Sequence, residues 1–495
     1  MPQDADQTLA IIWFRQDLRL GDHAALHAAM AGGGRVLPVY VLDDDSAGRW
    51  AMGGAGRWWL HHSLAALTAA LAERGAPLVL RRGKAVDVLP ALLAETGAAC
   101  IHAGRMHEPW ARGVETALEA ALPPGALRLN RTATLFDLTA IRTKTGGIYG
   151  IYTPFAKGLR LRGDPAPPLP APERIAGPPP PPSDRLDDWG LLPAAPDWAG
   201  GFRSTWQPGE IAAHRSLHAF AAKVVDGYDV TRNLPGQAGT SMISPHLHFG
   251  ELSPGQVWHA AAAASARRGE GLSVYLGELL WREFAAYLLW HNPHLPEQPL
   301  RPRFAEMPTR RAPAELHAWE RGRTGVPIVD AGMRQLWRTG WMHNRVRMIV
   351  ASYLTKHLLM PWQDGEAWFW DTLVDADLAS NAASWQWVAG SGIDAQPFFR
   401  IFNPVSQGEK FDPDGAYVRA WIPELAGLPD RWIHAPWTAP ADVLRAAKVR
   451  IGRDYPAPVV DLAEGRMRAL AAFKAMGRGA SEPIDAEGPA AEDAA

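Results

Sequence analysis

The chain has 495 residues, of which 47% are hydrophobic and 21% are charged, and its formal net charge is −2. A chain of this length forms roughly two or three domains and buries enough surface to fold without disulfides. The single cysteine, Cys100, excludes a disulfide framework, a zinc ribbon and a protein-ligated iron–sulfur cluster, because each needs several cysteines. The near-zero charge excludes a histone-like nucleic-acid binder, but not a local basic groove.

The sequence carries no signal for a membrane or for export. No apolar run approaches the ~18 residues of a membrane span. Asp4 and Asp6 precede the first apolar run, where a signal peptide would have positive charge. We therefore expect a soluble, cytoplasmic protein. Tryptophan is unusually frequent, with 22 residues against 14 phenylalanines, so some tryptophans are candidates for stacking or electron transfer as well as for core packing.

Residues 1–135 alternate short apolar strands with helices. The strands are predicted at Leu9–Phe14, Val36–Leu42, Leu78–Leu80 and Ala98–Ala103. Between the second and third strands, leucines recur on one helical face until Gly75 and Pro77 end the helix. This alternation predicts an α/β domain with a parallel, Rossmann-like sheet. The dinucleotide fingerprint G-x-G-x-x-G is missing after the first strand.

The second half of the chain is different. Residues 165–196 hold 12 prolines, which fix the backbone and donate no hydrogen bond, so we predict an interdomain linker over 136–200. Residues 201–475 are predicted to form a larger all-α domain. Its helices are expected at Leu217–Val225, Gln256–Ala266, Val274–Leu289, Val326–Thr339, Arg345–His357 and Ala441–Val449. The acidic, alanine-rich residues 476–495 are predicted to be a disordered tail.

One window of the chain is strongly basic. Residues 301–347 contain ten arginines, no lysine and four acidic residues. Either this window is a solvated face or its arginines track phosphates, with which the guanidinium fork pairs well.

Several familiar catalytic motifs are missing or incomplete. His246 and His248 form one close pair and His61 and His62 another, but neither has a third ligand at metal spacing, so no metal site is expected. No G-x-S-x-G hydrolase motif occurs. Cys100 lies in a predicted buried strand and is expected to be inert.

Long segments of the chain resemble the DNA photolyase/cryptochrome family, most of all the bacterial photolyases that repair cyclobutane pyrimidine dimers (CPDs). They are WFRQDLRLGDH (13–23), GYDVTRNLPGQAGTSMISPHLHFGELSP (227–254), GELLWREF (277–284), GWMHNRVRM (340–348) and DADLASNAASWQWVAGSGIDAQPFFRIFNPVSQGEKFDP (375–413). The resemblance covers roughly residues 9–470 in the family's order. It implies an α/β antenna domain followed by a helical domain that holds one non-covalent FAD.

A hydroxyl-rich turn is the expected phosphate site. Thr240, Ser241 and Ser244 offer hydroxyls and backbone N–H groups that suit a pyrophosphate, although the same residues suit a helix cap. By resemblance these three contact FAD, together with Tyr228, Met242, Ile243, Arg347, Asp375, Ala376 and Asp377. Asp375 is expected to pair with Arg347. Asn381 is expected to face flavin N5, where an amide can donate or accept, the alternative being a helix-capping role.

The expected substrate site follows from the same resemblance. A lesion must leave the duplex to reach a buried cofactor, and Trp281 and Trp387 match the tryptophans that sandwich the dimer. Glu278 is expected to bind the thymine edge and to stabilise the dimer radical anion. Further lesion or DNA contacts are expected from Arg232, Asn344, Arg345, Met348, Arg400 and Gln407. Photolyases of the (6-4) class carry histidines where this chain has Asn344 and Met348, which favours CPD repair.

The resemblance implies a carbon–carbon lyase in which excited FADH⁻ gives an electron to the flipped-out dimer. Such a reaction needs positioning and electrostatics, and no general acid or base. Trp385 and Trp362 match the flavin-proximal and middle members of the chain of three tryptophans that reduces oxidised flavin. The distal position falls at Thr309 or Arg310, neither of which relays an electron. Two alternatives follow: photoreduction is slow, or it uses another exit, for which Trp341 and Trp319 are the candidates.

A second, antenna chromophore is also expected. The stretch around Glu108, and the helix with Trp58 and Trp59, resemble chromophore-lining regions, and 5,10-methenyltetrahydrofolate is expected in preference to a deazaflavin. UV-damaged DNA is the expected partner of a monomer that needs no other protein. A cryptochrome-type blue-light photoreceptor and a (6-4) photolyase remain the alternative functions.

Overall fold

The computed structural model describes residues 8–31, 33–392 and 399–476. Residues 393–398, which belong to the quoted segment 375–413, and the predicted tail beyond residue 476 lie outside these ranges. No helix in the described ranges is long and apolar enough to cross a membrane.

The N-terminal domain is an α/β unit. Its elements are β1 (Leu9–Phe14), α1 (Ala24–Met30), β2 (Arg35–Leu42), α2 (Gly54–Glu73), β3 (Val79–Arg82), α3 (Ala85–Thr96), β4 (Cys100–Gly104), α4 (Pro109–Ala121) and β5 (Leu127–Asn130). The strands form one parallel sheet in the order β3-β2-β1-β4-β5. In β1, Ala10, Ile12 and Phe14 join one core and Leu9, Ile11 and Trp13 the other. Both faces of the sheet are therefore covered, as expected for parallel strands, and the predicted Rossmann-like domain is confirmed.

Among the described residues after β5, the regular secondary structure is helical. The helices are α5 (Tyr152–Arg160), α6 (Gly200–Thr205), α7 (Glu210–Lys223), α8 (Tyr228–Thr231), α9 (Ser244–His248), α10 (Pro254–Ala264), α11 (Glu270–His291), α12 (Pro313–Glu320), α13 (Pro327–Thr339), α14 (Asn344–Ser352), α15 (Trp362–Thr372), α16 (Leu378–Ala389), α17 (Pro404–Phe411), α18 (Ala416–Trp421), α19 (Asp430–Ile433), α20 (Ala441–Ala446) and α21 (Leu462–Ala475). Helix α16 lies at the centre, where it packs against α11, α14 and α15. The predicted all-α second domain is confirmed.

Short 3₁₀-helical turns and one π-helical turn connect these elements. The 3₁₀ turns are Gly48–Trp50, Leu138–Ala140, Leu186–Trp189, Val225–Gly227, Pro302–Glu306, Pro423–Leu425 and Pro436–Thr438. The single helix predicted over Arg345–His357 is instead α14 followed by a π-helical turn, Tyr353–His357. Such turns occur often near functional sites.

The segment predicted as a linker contains a helix of the helical domain. Phe155 and Leu159 of α5 are buried in the same core as α11. The proline-rich part that follows runs along the edge of the N-terminal sheet, where the Leu80 N–H donates to Ser183 Oγ and the Asp184 N–H donates to the Leu80 carbonyl. The domain limits at 135 and 200 stay predictions.

The loop after β1 joins the two domains. The Arg19 guanidinium, 1% exposed, donates to four carbonyl oxygens, those of Gly21, Asp22, Thr132 and Gly250. Glu210 at the start of α7 accepts from the N–H groups of Leu20 and Gly21, both at 2.8 Å. The motif 13–23 therefore connects the segment after α9 to the sheet domain through the hydrogen bonds of Arg19.

Candidate active site

The hydroxyl-rich turn before α9 has an unusual backbone. Met242 has a φ of +50°, a left-handed conformation that costs energy for a residue with a side chain. Thr240 and Ser241 are half-buried beside it, and Ile243 is buried as the N-cap of α9. Strain of this kind is held only where the surroundings fix it, as is common around bound ligands.

Ser244 links this turn to a half-buried ion pair. Its Oγ donates to Asp375 Oδ2 at 2.6 Å, and the Trp341 indole N–H donates to the same Oγ at 3.3 Å. Arg347 Nη2 donates to both oxygens of Asp375, at 2.8 and 3.1 Å. The expected pairing of Asp375 with Arg347 is therefore present, and it ties α9 to α14 and to the start of α16.

Asp377 caps the helix that carries the central residues. Its Oδ1 accepts from the Ser380 N–H at 2.7 Å. Burial opposes the charge of Asp377, but Arg282, His248 and the Ser380 hydrogen bonds together lower its pKa. Burial also lowers the pKa of His248, which favours the neutral ring. Ala376, between the two aspartates, is 7% exposed.

Asn381 has a fixed amide orientation. Its Nδ2 donates to the Glu366 carbonyl at 3.0 Å, so Oδ1 and the second Nδ2 hydrogen are the groups that it can offer to a bound ligand. The Glu366 side chain is fully buried, and within the described part of the chain neither of its carboxyl oxygens has a hydrogen-bond partner. Burial raises the pKa of Glu366 to about 9, so this side chain is a neutral acid at pH 7.

Glu278 and Trp281 lie one turn apart on α11. Glu278 Oε1 is 2.7 Å from Arg232 Nη1, and desolvation raises the pKa of Glu278 against the opposing effect of Arg232. Trp281 is 37% exposed, a large value for tryptophan. Its ring lies parallel to that of Tyr152 with 3.6 Å between centroids. Arg232 also lies over the ring of the buried Tyr228, at 5.5 Å.

Helix α14 presents Asn344 and Met348 one turn apart, the first exposed and the second half-buried. Arg345 between them is 5% exposed, with Nη2 donating to Asn233 Oδ1 at 2.7 Å and its guanidinium 4.3 Å from the Phe411 ring centroid. Burial, Arg232 and Arg400 lower the pKa of Arg345 to about 10. Because this guanidinium is largely enclosed, its contact with DNA stays a prediction.

The other expected DNA contacts lie on and after α16. Trp387 is half-buried on α16, which packs against both α11 and α14. The structure thus places Glu278, Trp281, Asn344, Met348 and Trp387 on three helices, of which α16 packs against each of the other two. Arg400 is exposed, with its guanidinium 5.0 Å from the Phe402 ring, and Gln407 is half-buried on α17. Both follow the undescribed residues 393–398, and their roles stay predictions.

Aromatic rings surround Trp385. Trp385, 2% exposed, has the ring of Phe369 at 5.0 Å and that of Trp319 at 6.2 Å, both in edge-on geometry. Trp362 is buried at the start of α15. Arg310, at the expected distal position, is paired with Glu315 at 3.0 Å. Of the two alternative exits, Trp319 is therefore in contact with Trp385, whereas Trp341 bonds to Ser244.

The basic window 301–347 is only partly available to phosphate. Ion pairs occupy Arg310, Arg334 and Arg347, which bind Glu315, Glu424 and Asp375. The arginines that stay exposed are Arg303, Arg311, Arg321, Arg323 and Arg338.

The side chains expected near an antenna chromophore are buried in the free molecule. Trp58 and Trp59 are 2% and 0% exposed, and Trp58 packs edge-on against Phe202. Glu108 is 7% exposed, and burial raises its pKa to about 7. None of the three therefore presents an open surface to a chromophore.

Sequence reasoning missed two contacts at this site. Tyr152 lies in the segment assigned to the linker. The sequence signal for its helix is limited to two apolar residues at helical spacing, Phe155 and Leu159. Asn233 stands in the quoted motif, but its bond to Arg345 joins positions 112 residues apart. Neither contact has a local pattern that predicts it.

The residues present fit FAD. The strained turn offers hydroxyls and backbone N–H groups for a pyrophosphate, the Arg347–Asp375 pair supplies fixed charges, and Asn381 offers a carbonyl oxygen. The site is distributed over α9, α14 and α16, which suits a ligand as large as FAD.

Two protein-family models and several known proteins match most of this chain. Residues 10–173 match the family model described as DNA photolyase, and residues 275–475 match the FAD binding domain of DNA photolyase. A deoxyribodipyrimidine photo-lyase of Agrobacterium fabrum is 48% identical over 94% of this chain and 98% of its own. Cryptochrome-1 of Arabidopsis thaliana is 35% identical over 94% of this chain and 70% of its own.

A solved structure shares the whole fold. The crystal structure of a bacterial class III photolyase from Agrobacterium tumefaciens superposes with a TM-score of 0.93 at 47% identity, over 96% of this chain and 99% of its own. Identity of this level over nearly the full length of both chains shows the family. The chain belongs to the DNA photolyase/cryptochrome family and contains its FAD binding domain.

Proposed function

We propose that this protein repairs cyclobutane pyrimidine dimers in DNA by a light-driven reaction. The observation that carries the proposal is the surface formed by α11, α14 and α16. It combines a half-exposed tryptophan, Trp281, with an ion pair one turn away, and with Asn344 and Met348 where (6-4) photolyases have histidines. An aromatic wall beside polar groups is the arrangement that the two flipped-out bases of the dimer need.

Each residue of this surface has a distinct role in the proposal. Trp281 and Trp387 stack on the two bases of the dimer, each interaction contributing about 1–3 kcal/mol. Asn344 supplies a polar contact and Met348 an apolar one. Glu278 accepts a hydrogen bond from the thymine edge, and Arg232, 2.7 Å from Glu278, holds that carboxylate in place.

The chain holds FAD through the turn Thr240–Ser244 and the Asp375–Asp377 segment. When bound and reduced, FAD would supply one electron to the dimer on absorbing light and take it back once the two cyclobutane bonds have broken. Asn381 presents its amide to the cofactor, with the hydrogen bond from Nδ2 to the Glu366 carbonyl fixing the orientation of that amide. Helices α11, α14 and α16 exclude water from the reacting groups. Trp385 and Trp362 begin the route by which oxidised flavin is reduced, and Trp319 is the neighbouring ring that extends it.

The remaining parts of the proposal concern partners. UV-damaged DNA is the substrate of a monomer that acts without a protein partner. A second chromophore, 5,10-methenyltetrahydrofolate in preference to a deazaflavin, gathers light at the antenna domain.

A photoreceptor is the second candidate, because the chain is also similar to plant cryptochromes over most of its length. The deciding experiment is repair of oligonucleotides that carry either a CPD or a (6-4) photoproduct, in blue light and in darkness. Light-dependent loss of the CPD alone supports the proposal. Repair of only the (6-4) product overturns the lesion assignment, and flavin photochemistry without repair of either lesion moves the protein to the photoreceptors.

A further inference from the structure

Helix α5 forms a basic groove directly beside the proposed lesion pocket. A surface groove of about 420 Å³ is lined by Tyr152, Thr153, Ala156, Lys157, Arg160 and Leu161. Lys157 and Arg160 lie three residues apart and so share one helix face. Both are exposed. The groove therefore combines two cations with an aromatic ring and the exposed apolar side chain of Leu161.

The charge of the segment that contains this groove is not neutralised within the segment. Between Arg142 and Arg162 the sequence has five cationic residues and no acidic one, in a protein of net charge −2. Over residues 8–31, 33–392 and 399–476, none of these five forms an ion pair, in contrast to Arg310, Arg334 and Arg347. Residues 142–162 thus have more cations without an ion pair, per residue, than the basic window 301–347.

The groove is fixed to the lesion pocket by direct contacts. Tyr152 Oη donates to the Gly277 carbonyl at 2.8 Å, one residue before Glu278, and the Tyr152 ring stacks on Trp281. Arg160 Nη2 donates to the Ser273 carbonyl at 3.2 Å. Two hydrogen bonds and one ring stack therefore hold α5 against the turn of α11 that carries the proposed lesion contacts.

We infer that α5 is a second DNA-contact surface, which binds backbone phosphates of the DNA flanking the flipped dimer on the Trp281 side. This inference rests on the proposed function, since it takes the Trp281 surface as the lesion pocket. Lys157 and Arg160 pair with phosphate oxygens and hold the flank in register, while Tyr152 fixes the plane of Trp281. Contacts of this kind position the duplex and carry no sequence information.

The test compares the double variant Lys157→Ala/Arg160→Ala with wild type, as full-length flavin-loaded proteins. Binding in darkness is measured over a range of salt concentrations, on a duplex with a thymine dimer and on the same duplex undamaged. Two phosphate contacts contribute about −1.8 to the slope of log K against log salt, so the variant's slope is expected to be shallower by about that amount. The loss of affinity is expected to be similar for both duplexes.

Three controls separate contact from general charge and from folding. Arg35→Ala/Arg174→Ala removes the same charge from exposed positions of the N-terminal domain and its linker, and is expected to keep the wild-type slope. Lys157→Glu/Arg160→Glu is expected to weaken binding further. An isolated thymine-dimer dinucleotide has no flank, so both α5 variants are expected to bind it as wild type does. Cations also stabilise the end of α5, so flavin absorbance and thermal unfolding are recorded for each variant.

The outcomes are distinct for the two proposals. An unchanged slope in Lys157→Ala/Arg160→Ala overturns the α5 inference, and so does an equal change in the Arg35/Arg174 control. A wild-type protein without preference for the dimer-containing duplex counts against the proposed function, while the slopes on undamaged duplex still decide whether α5 binds phosphates.

Discussion

Trp281 provides the sharpest test of the lesion pocket. In the free molecule its ring is 37% exposed and has the Tyr152 ring 3.6 Å behind it. Trp281→Ala removes the surface on which a base stacks, while Tyr152 keeps the rear of the pocket in place. A base would have to move deeper by about one ring thickness to stack on Tyr152, so we expect little compensation.

The expected loss follows from the stacking energy. A base–aromatic stack contributes about 1–3 kcal/mol, which corresponds to about a five- to 150-fold loss of affinity for the dimer. Trp281→Phe is expected to retain most of the affinity, because it keeps an aromatic face. The affinity for undamaged duplex is expected to change little, because its bases stay stacked in the helix.

The assay is equilibrium binding in darkness to duplexes with and without a thymine dimer. Trp337→Ala is the matched control, because Trp337 is an exposed tryptophan, at 47%, that stacks on Trp368 away from this pocket. Flavin content is measured for every variant and is expected to be unchanged. Equal affinities of wild type and Trp281→Ala for the dimer, or an equal loss on undamaged DNA, would refute the assignment of this wall.

Three further predictions concern neighbouring residues. Glu278→Ala is expected to lower the repair yield per absorbed photon more than dimer affinity, because its hydrogen bond matters most after electron transfer; equal losses in yield and affinity would contradict this. Trp385→Phe is expected to abolish photoreduction of oxidised flavin and to spare repair by chemically reduced enzyme, which absorption spectra and a repair assay distinguish; unchanged photoreduction would show that the route starts elsewhere. Burial, with Arg345, Arg347 and Arg232, lowers the pKa of His343 to about 4 in the folded protein, from 6.5 in the unfolded chain. The unfolded chain therefore binds this proton first as the pH falls, so the free energy of unfolding is expected to drop by about 3 kcal/mol between about pH 6.5 and pH 4. Denaturant unfolding at several pH values should show a smaller acid loss in His343→Asn, which keeps the capping acceptor for the Arg345 N–H, and an identical loss would disprove the assignment to His343.

The predictable part of the fold is the part with a local pattern. Strand β1 is a run of six buried residues, which reads as a strand from composition alone. Strand β5 escapes prediction because it is only partly buried and carries the exposed Arg128. Helix α5 escapes it because Pro154 and nearby glycines resemble a loop, although proline is tolerated in the first turn of a helix.

The candidate site shows the same division. The Arg347–Asp375 pair was expected from the family resemblance and is present. The stacking of Tyr152 on Trp281 joins helices that are distant in sequence, and it depends on how α5 packs against α11. Tertiary contacts of this kind leave no trace in local periodicity, so neither composition nor motif spacing predicts them.

The hydrogen bonds of Arg19 give the N-terminal domain a structural role in this chain. Gly250, just after α9, has a φ of +66°, and a Cβ there would lie 2.2 Å from the Gln16 carbonyl oxygen, so the two backbones meet without room for a side chain. The sheet domain thus supports the segment that follows α9, the helix that begins at the proposed phosphate-binding turn. We expect this domain to be needed with or without an antenna chromophore, because removing it would take away two hydrogen-bond donors: Arg19, which donates to the Gly250 carbonyl, and the Leu18 N–H, which donates to the Phe249 carbonyl.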